Sequence, residues 1–330
     1  MERNLFINIQ ARKRRKSKAR FFFLLALLFT GVLIGYIILN LATQYLSEGS
    51  VELIKPSFSI LPLGDSSDQD EAALKNDPLG TVIKNSLTGV KGTYGIVIKN
   101  LKTGEKYLEN ERRVFEAGSL YKLWVMATVV EKLQTGEWKE DQILSESIAS
   151  LNNKFDIDPE LAEQTRGTIS LSVRDALKQM ITISHNYAAL LLAEEVKLST
   201  VAKFLDDNKL NESRVGVNGE APTTTPSDIA LFFEKLYKEK LADEQYTGLM
   251  VDLLKGQKLN EKLPKYLPKG TAVAHKTGEI GWFSHDVGIV YSPSGDYIIV
   301  VLSESESPAG ANDRIAQVSK AVYEYFLKKK

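Results

Sequence analysis

The stretch EAGSLYKLWVMATVV (Glu116–Val130) places a serine and a lysine three residues apart at the start of an apolar run. Residues i and i+3 share one face of a helix, so a helix beginning near Gly118 would hold Lys122 beside Ser119. The run that follows is apolar on nearly every side, which predicts a buried helix. Burial disfavours an ammonium ion, so Lys122 would tend toward a neutral amine that can take the serine proton. In the alternative interpretation, Ser119 caps the helix and Lys122 extends into solvent.

Two further clusters could complete a site around this pair. The tripeptide SHN (Ser184–Asn186) lies between two helical patterns, where a hydroxyl can relay a proton and an amide can hold a substrate carbonyl. The tripeptide KTG (Lys276–Gly278) ends a β-like run, where a cation and a hydroxyl can bind a substrate carboxylate. Its glycine lets the backbone approach a ligand closely, and an N–H at the strand edge can join an oxyanion hole.

Both patterns have a second copy in the chain. Ser150–Asn152 also reads S-x-N, but it lies in a polar stretch and is interpreted as a surface turn. Lys102–Glu105 repeats KTGE between two predicted strands and is interpreted as a hairpin turn. We therefore favour Ser184–Asn186 and Lys276–Gly278 as the functional copies.

In order along the chain, S-x-x-K, S-x-N and K-T-G resemble the motif set of class A β-lactamases and serine penicillin-binding proteins, which is S-x-x-K, S-D-N and K-T-G. The resemblance covers essentially all of residues 77–330, including the TTTPSDIA run at Thr223–Ala230, the HDVGIV strand and the terminal helix. It implies an antiparallel sheet with helices on both faces, joined to an all-helical lobe, with the active site between the lobes.

The resemblance implies a catalytic role for four residues. Ser119 would be the acylated nucleophile, and Lys122 would assist its proton transfer. Ser184 would relay the proton to the leaving nitrogen. The backbone N–H groups of Ser119 and Glu279 would form the oxyanion hole.

The resemblance also implies substrate-binding residues. Asn186 would bind the substrate amide, while Lys276 and Thr277, followed by Gly278, would bind the substrate carboxylate. The expected substrates are β-lactams or the stem peptides of peptidoglycan.

The three histidines are interpreted as structural. His185 replaces the aspartate of S-D-N, and His275 and His285 flank the third cluster without a metal-like spacing to a carboxylate. The chain has no cysteine, which excludes disulfides, a thiol nucleophile and cysteine zinc sites. We expect neither a metal nor a cofactor.

One departure from the class A pattern concerns removal of the acyl group. Class A enzymes carry a glutamate in E-x-x-L-N, on a loop before the T-T-T-P segment, that activates the hydrolytic water. Here the segment Asn211–Thr223 is short and lacks that pattern. The mimic DNKLN (Asp207–Asn211) comes too early, at the end of a helix, and Glu220 is only a positional candidate. Deacylation should be slow, because general base catalysis contributes about 10²–10⁴ in rate.

The N-terminal region predicts a membrane anchor. Residues 1–20 carry eight Lys/Arg and one Glu, and residues 21–42 are strongly apolar. About 20 apolar residues span a bilayer core, and positive charge stays on the cytoplasmic side, so the remainder should be extracytoplasmic. A cleaved signal peptide is the alternative, although no convincing small-x-small site follows the apolar stretch.

The domain organisation follows from these patterns. We expect a basic cytoplasmic tail (1–20), a transmembrane anchor (21–42), an extracytoplasmic linker (43–76) and a catalytic domain (77–330). Strand patterns lie over about 77–118 and 268–330, and helical patterns lie over about 119–267. They predict an α+β fold whose mostly antiparallel sheet comes from both chain ends.

The charge distribution argues against a nucleic-acid-binding protein. The formal net charge is zero, so the charge of +7 in the tail leaves −7 in the rest of the chain.

Three functions remain open at this point. The first is a membrane-anchored serine hydrolase or acyl-transferase that binds penicillin and acts on peptidoglycan, as a DD-peptidase does. The second is a true class A-type β-lactamase with a displaced base. The third is a non-hydrolytic cell-wall-binding or β-lactam-sensing module, which would need a signalling partner because the cytoplasmic tail is short.

Overall fold

A computed structural model describes residues 77–89, 91–160, 162–217 and 219–329. The predicted tail, anchor and linker lie outside these ranges. Among the helices that are described, none combines the length and the apolar character needed to cross a bilayer.

The described elements follow one another from an N-terminal helix to a long C-terminal helix. In chain order they are α1 (Pro78–Ser86), β1 (Thr93–Asn100), β2 (Lys106–Glu109), β3 (Phe115–Glu116), a 3₁₀ turn (Gly118–Tyr121), α2 (Lys122–Gln134), β4 (Ile143–Ser147), α3 (Ile148–Lys154), β5 (Thr168–Ser172), α4 (Val173–Thr182), α5 (Asn186–Val196), α6 (Leu198–Asp207), β6 (Thr223–Thr224), α7 (Pro226–Tyr237), α8 (Glu244–Lys255), β7 (Val273–Ile280), β8 (Phe283–Val290), β9 (Tyr297–Glu304) and α9 (Pro308–Lys328).

Five strands form an antiparallel sheet in the order β2-β1-β9-β8-β7. The two ends of the catalytic region meet at its centre, where Thr93 of β1 lies opposite Glu304 of β9. Side chains alternate across the sheet, so Ile96 and Ile98 pack on one face with α1 and α9, while Val97 packs on the other face. The predicted α+β fold with an antiparallel sheet is therefore confirmed.

Helix α2 lies at the centre of the second core. Every residue from Lys122 to Val130 is buried, because α4, α5 and α6 pack around the helix. The apolar run of the sequence thus forms a helix buried on all sides, as predicted.

The region predicted to be mostly helical also contains strands. Within it, β4 pairs with β5, and β6 pairs with β3 of the preceding region, each as a two-stranded antiparallel sheet. The interpretation of Ser150–Asn152 as a surface turn is wrong, since these residues belong to α3. Asn152 is buried and accepts a hydrogen bond from the hydroxyl of Tyr187 at 2.9 Å. The KTGE copy at Lys102–Glu105 does form the turn between β1 and β2.

Candidate active site

Ser119 lies in the 3₁₀ turn that leads directly into α2. Gly118 before it has φ of +50°, and a Cβ there would lie 2.9 Å from the backbone nitrogen of Glu279. A Cβ on Gly278 would lie 2.8 Å from the carbonyl oxygen of Ala117. The two glycines therefore let the Ser119 turn pack directly against strand β7.

The capping alternative for this pair is wrong. The residues that precede the 3₁₀ turn and α2 are Ala117 and Tyr121, and neither provides a side-chain capping bond. Ser119 is half-buried at the start of the turn, and Lys122 is fully buried and does not extend into solvent.

The hydroxyl of Ser184 lies between the side chains of two fully buried lysines. Lys122 Nζ donates to the Ser184 carbonyl oxygen at 2.6 Å and contacts Ser184 Oγ at 3.1 Å. Lys276 Nζ contacts the same Oγ at 3.0 Å and donates to the Thr277 carbonyl at 2.9 Å. One residue from each predicted motif thus meets at this hydroxyl, which is positioned to pass a proton between amine and substrate.

The side-chain amide of Asn186 has a fixed orientation. Its Oδ1 accepts from Lys122 Nζ at 2.8 Å, and its Nδ2 donates to Glu163 Oε1 at 2.7 Å. Glu163 thus takes one N–H of the Asn186 amide, and binding of a substrate carbonyl would use the second. Glu163 comes from the loop between α3 and β5 and was not singled out in the sequence, where no motif marks it.

His185 has the structural role expected from the sequence. Its Nδ1 accepts a hydrogen bond from the backbone N–H of Ala188 at 3.1 Å and thereby caps α5. Burial lowers the pKa of His185, with Glu163 acting in the opposite direction and Lys122 in the same direction as burial. The neutral imidazole therefore serves as a helix cap.

The other two histidines are buried in the sheet. His275 Nδ1 lies 2.8 Å from Asp286 Oδ1, and its Nε2 lies 3.1 Å from Asn260 Oδ1. His285 Nε2 lies 2.8 Å from the carbonyl oxygen of Glu116, while its Nδ1 accepts from the Ser303 N–H at 3.1 Å. Both are held by protein partners, in agreement with the structural interpretation.

The environment of His285 strongly favours its neutral form. Burial, with a smaller contribution from the nearby charge of Lys262, lowers the pKa of His285 to about 3. Within the described ranges, no group of three or more metal-ligating side chains is placed to hold a metal ion.

A cavity of about 380 Å³ opens beside Ser119. Its lining combines residues of all three motifs with the segment before β7 and one residue of α9: Ser119, Ser184, Lys258, Leu259, Asn260, Glu261, Lys262, Thr277, Glu279 and Asn312. The segment 258–262 and Asn312 were not predicted, because only the tertiary fold brings them to the site.

The segment expected to supply a deacylating base forms a tight loop. Arg214 and Thr223 exchange two backbone hydrogen bonds of 2.9 Å, which close the loop at its base. A Cβ on Gly216, whose φ is +74°, would lie 1.9 Å from the Glu220 carbonyl oxygen. Glu220 is exposed, and the described cavity lining includes neither it nor Asp207.

The sequence model of the β-lactamase enzyme family matches residues 78–326, which is most of the chain. The chain belongs to the β-lactamase enzyme family. As a member of the superfamily of class A β-lactamases and related penicillin-binding proteins, it is a serine hydrolase that acts on amide bonds.

Similar proteins cover about three quarters of this β-lactamase-family chain. The β-lactamase VEB-1 of Pseudomonas aeruginosa is 24% identical over 77% of this chain and 92% of its own length. The solved β-lactamase of Sphaerobacter thermophilus has a TM-score of 0.66 at 22% identity, covering 76% of this chain and 97% of its own. PBP-A has a TM-score of 0.65 at 22% identity, covering 76% and 96%, and a variant of it has been solved as an acyl-enzyme complex with penicillin G.

Proposed function

We propose that this protein is a membrane-anchored, DD-peptidase-like enzyme that forms a Ser119 acyl-enzyme with β-lactams or D-Ala-D-Ala peptides. The observation that carries the proposal is the position of the Ser184 hydroxyl between Lys122 and Lys276, at 3.1 and 3.0 Å, beside the cavity that contains Ser119. The acyl-enzyme complex of a PBP-A variant with penicillin G supports the same chemistry by similarity of fold.

In this proposal, acylation uses these groups in turn. Ser119 Oγ attacks the substrate carbonyl carbon while its proton passes to Lys122 in its neutral form. The carbonyl oxygen becomes an oxyanion that the N–H groups of Ser119 and Glu279 would stabilise, since Gly118 of the turn and Gly278 of β7 let these two backbones lie close together. When the C–N bond breaks, Ser184 donates its proton to the leaving nitrogen and is reprotonated by a neighbouring lysine.

The fate of the acyl group separates two candidates. The tight loop at Arg214–Thr223 brings no acidic side chain into the described cavity lining, which favours a long-lived β-lactam adduct and hence a peptidase. A true β-lactamase is the second candidate, favoured by the similarity to VEB-1 over nearly its full length. It would need a base from elsewhere in the site.

The test uses the purified full-length chain and a fluorescent penicillin. The wild type should be labelled, Ser119→Ala should not, and Ser184→Ala should be labelled at least 10²-fold more slowly. Ser150→Ala, in the other S-x-N copy, is the matched control and should be labelled as fast as the wild type. Absence of labelling that depends on Ser119 would refute the acyl-enzyme.

Two measurements then distinguish the candidates. A label that persists for many minutes, together with release of D-alanine from an acyl-D-Ala-D-Ala peptide, supports the peptidase. A label lost within seconds, with rapid opening of the β-lactam, supports the β-lactamase.

We propose further that residues 21–42 anchor the chain, with the N-terminus in the cytoplasm and the catalytic domain outside. The apolar stretch and the basic residues before it support this orientation.

Because the chain has no cysteine, Ser17→Cys in the tail and Ser66→Cys in the linker each create a unique thiol. A membrane-impermeant maleimide should label only Ser66→Cys on intact cells. Equal labelling of both, or of Ser17→Cys alone, would contradict the orientation.

A further inference from the structure

An acidic side chain lies where the proposed function needs to bind a substrate carboxylate. Thr277 and Glu279 are two residues apart on β7, so their side chains project from the same face of the strand. Both line the cavity beside Ser119. The carboxylate of Glu279 is therefore a neighbour of the hydroxyl proposed to hold the negative end of the substrate.

Glu279 also forms an ion pair with Lys262, a cation that lines the same cavity. Lys262 Nζ lies 2.6 Å from Glu279 Oε1, and the Lys262 side chain is only 3% exposed while that of Glu279 is 38% exposed. The same Nζ donates to the His285 carbonyl oxygen at 3.1 Å. A buried ammonium ion requires a partner, and here the partner is an acid that faces the cavity. The charge of Lys262 is thus already balanced before any ligand arrives.

We propose that Glu279 sets the charge preference at this end of the cavity. It disfavours ligands that place a free carboxylate beside Thr277 and favours ligands whose group there is uncharged, such as a carboxamide or a peptide that continues. Two like charges in a partly desolvated site repel, and Lys262 reduces that repulsion without cancelling it, because its side chain is far less exposed to the cavity than the Glu279 carboxylate. This proposal rests on the proposed function, because it concerns the substrate of the same site.

Glu279→Gln separates the charge from the packing. Glutamine keeps an oxygen that can accept from Lys262, but it removes the negative charge. We expect acylation of the full-length protein by benzylpenicillin, measured by intact-protein mass spectrometry, to become about tenfold faster. Acylation by benzylpenicillin methyl ester should rise less than acylation by the acid, so the ratio of the two rates reports the charge. Glu279→Thr, which suits a strand, serves as a second charge-removing variant if the glutamine variant does not fold.

Glu304→Gln is the matched control. Glu304 is also on the central sheet, is 37% exposed and pairs with Arg113 at 3.0 Å, but it does not belong to the described cavity lining. This substitution should change neither rate. Equal acceleration of acid and ester by Glu279→Gln, or no acceleration of either, would overturn the proposal.

A binding experiment does not depend on the acyl-enzyme. Calorimetry with Ser119→Ala should show that an acyl-D-Ala-D-Ala carboxamide binds more tightly than the corresponding free acid. Adding Glu279→Gln should shift the ratio of the two affinities toward the acid by about tenfold. If Glu279→Gln leaves the ratio of the two affinities unchanged, the charge preference is rejected. If penicillin does not acylate the wild type, the proposed function is rejected instead.

Discussion

Ser184 holds its hydroxyl between two buried lysines with a backbone conformation that serine rarely adopts. Its φ is +57°, in the left-handed region, where a side chain costs of order 1–2 kcal/mol. The carbonyl and the hydroxyl of this residue both contact Lys122, so these contacts offset the strain. The residue thus combines local strain with a central position in the site.

A comparison of two substitutions separates these contributions. Ser184→Gly and Ser184→Ala both lack the hydroxyl, but only glycine relieves the strain. We expect the glycine variant to be about 1 kcal/mol more stable than the alanine variant, and both to lose acylation equally. Denaturant unfolding and penicillin labelling measure the two effects. Equal stability of the variants would mean that the backbone is not strained.

His285 couples the stability of the sheet to pH. Its folded-state pKa of about 3 lies below the ordinary value of 6.5, so the folded protein favours the neutral ring. Its contribution to stability is therefore complete above pH 6.5 and is lost as the pH falls from 6.5 toward 3. Between pH 7 and pH 5 the loss should be on the order of 2 kcal/mol, or about 5 °C in Tm.

Thermal unfolding of His285→Gln checks this expectation. Glutamine does not titrate, so Tm of this variant should fall less between pH 7 and pH 5 than Tm of the wild type. An identical fall in both proteins would assign the pH dependence to other groups.

At the scale of elements, the contact between the 3₁₀ turn and β7 depends on Gly118. Gly118→Ala adds a Cβ at φ of +50°, with three backbone atoms of Glu279 at 2.9 to 3.1 Å. The turn must move away from β7, which should destabilise the protein by about 1–3 kcal/mol and slow acylation by at least tenfold.

Gly104→Ala is the matched control for that substitution. Gly104 has φ of +77°, but a Cβ there would meet nothing within 4 Å. The change should therefore cost about 1 kcal/mol through the backbone alone and leave penicillin labelling unaffected. If Gly118→Ala behaved in the same way as this control, close packing of the turn on β7 would not matter for acylation.

Elements with a strong periodic pattern were predictable, and those with a weak pattern were not. β1, β9 and α2 carry apolar or β-branched runs, and the structure buries these runs. β4 and β5 were missed because each has only five residues and runs directly into a helix, so that no pattern separates the strand from the helix. The interpretation of Ser150–Asn152 failed because its polar Asn152 is buried by bonding to a tyrosine distant in sequence.

At the scale of the whole molecule, the site was only partly visible in the sequence. The three motifs name Ser119, Lys122, Ser184 and Lys276, and the contacts of Ser184 join three of these residues. Glu163, Asn312 and the segment 258–262 reach the site through long-range packing, for which no local spacing gives a signal. The sequence therefore predicts the reacting groups of the site better than the other residues that line its cavity.

The terminal helix α9 packs on one face of the sheet, against β8 and β9 and beside α1. Ile315, Val318 and Val322 of α9 pack with Ile299 and Val301 of β9 in one core. Truncation after Ser307 would expose this face, so we expect a chain without α9 to be insoluble or to lack cooperative unfolding. Soluble, penicillin-labelled protein after this truncation would show that α1 alone can cover the sheet.

The pairing of β1 with β9 has a consequence for the order of events during translation. β1 emerges from the ribosome about 200 residues before its partner in the register Thr93–Glu304. Lys276 also follows Ser119 by more than half of the catalytic region. A nascent chain therefore holds an unfinished sheet and an incomplete site until synthesis is nearly over. We expect penicillin added to arrested chains to label only those long enough to include β9.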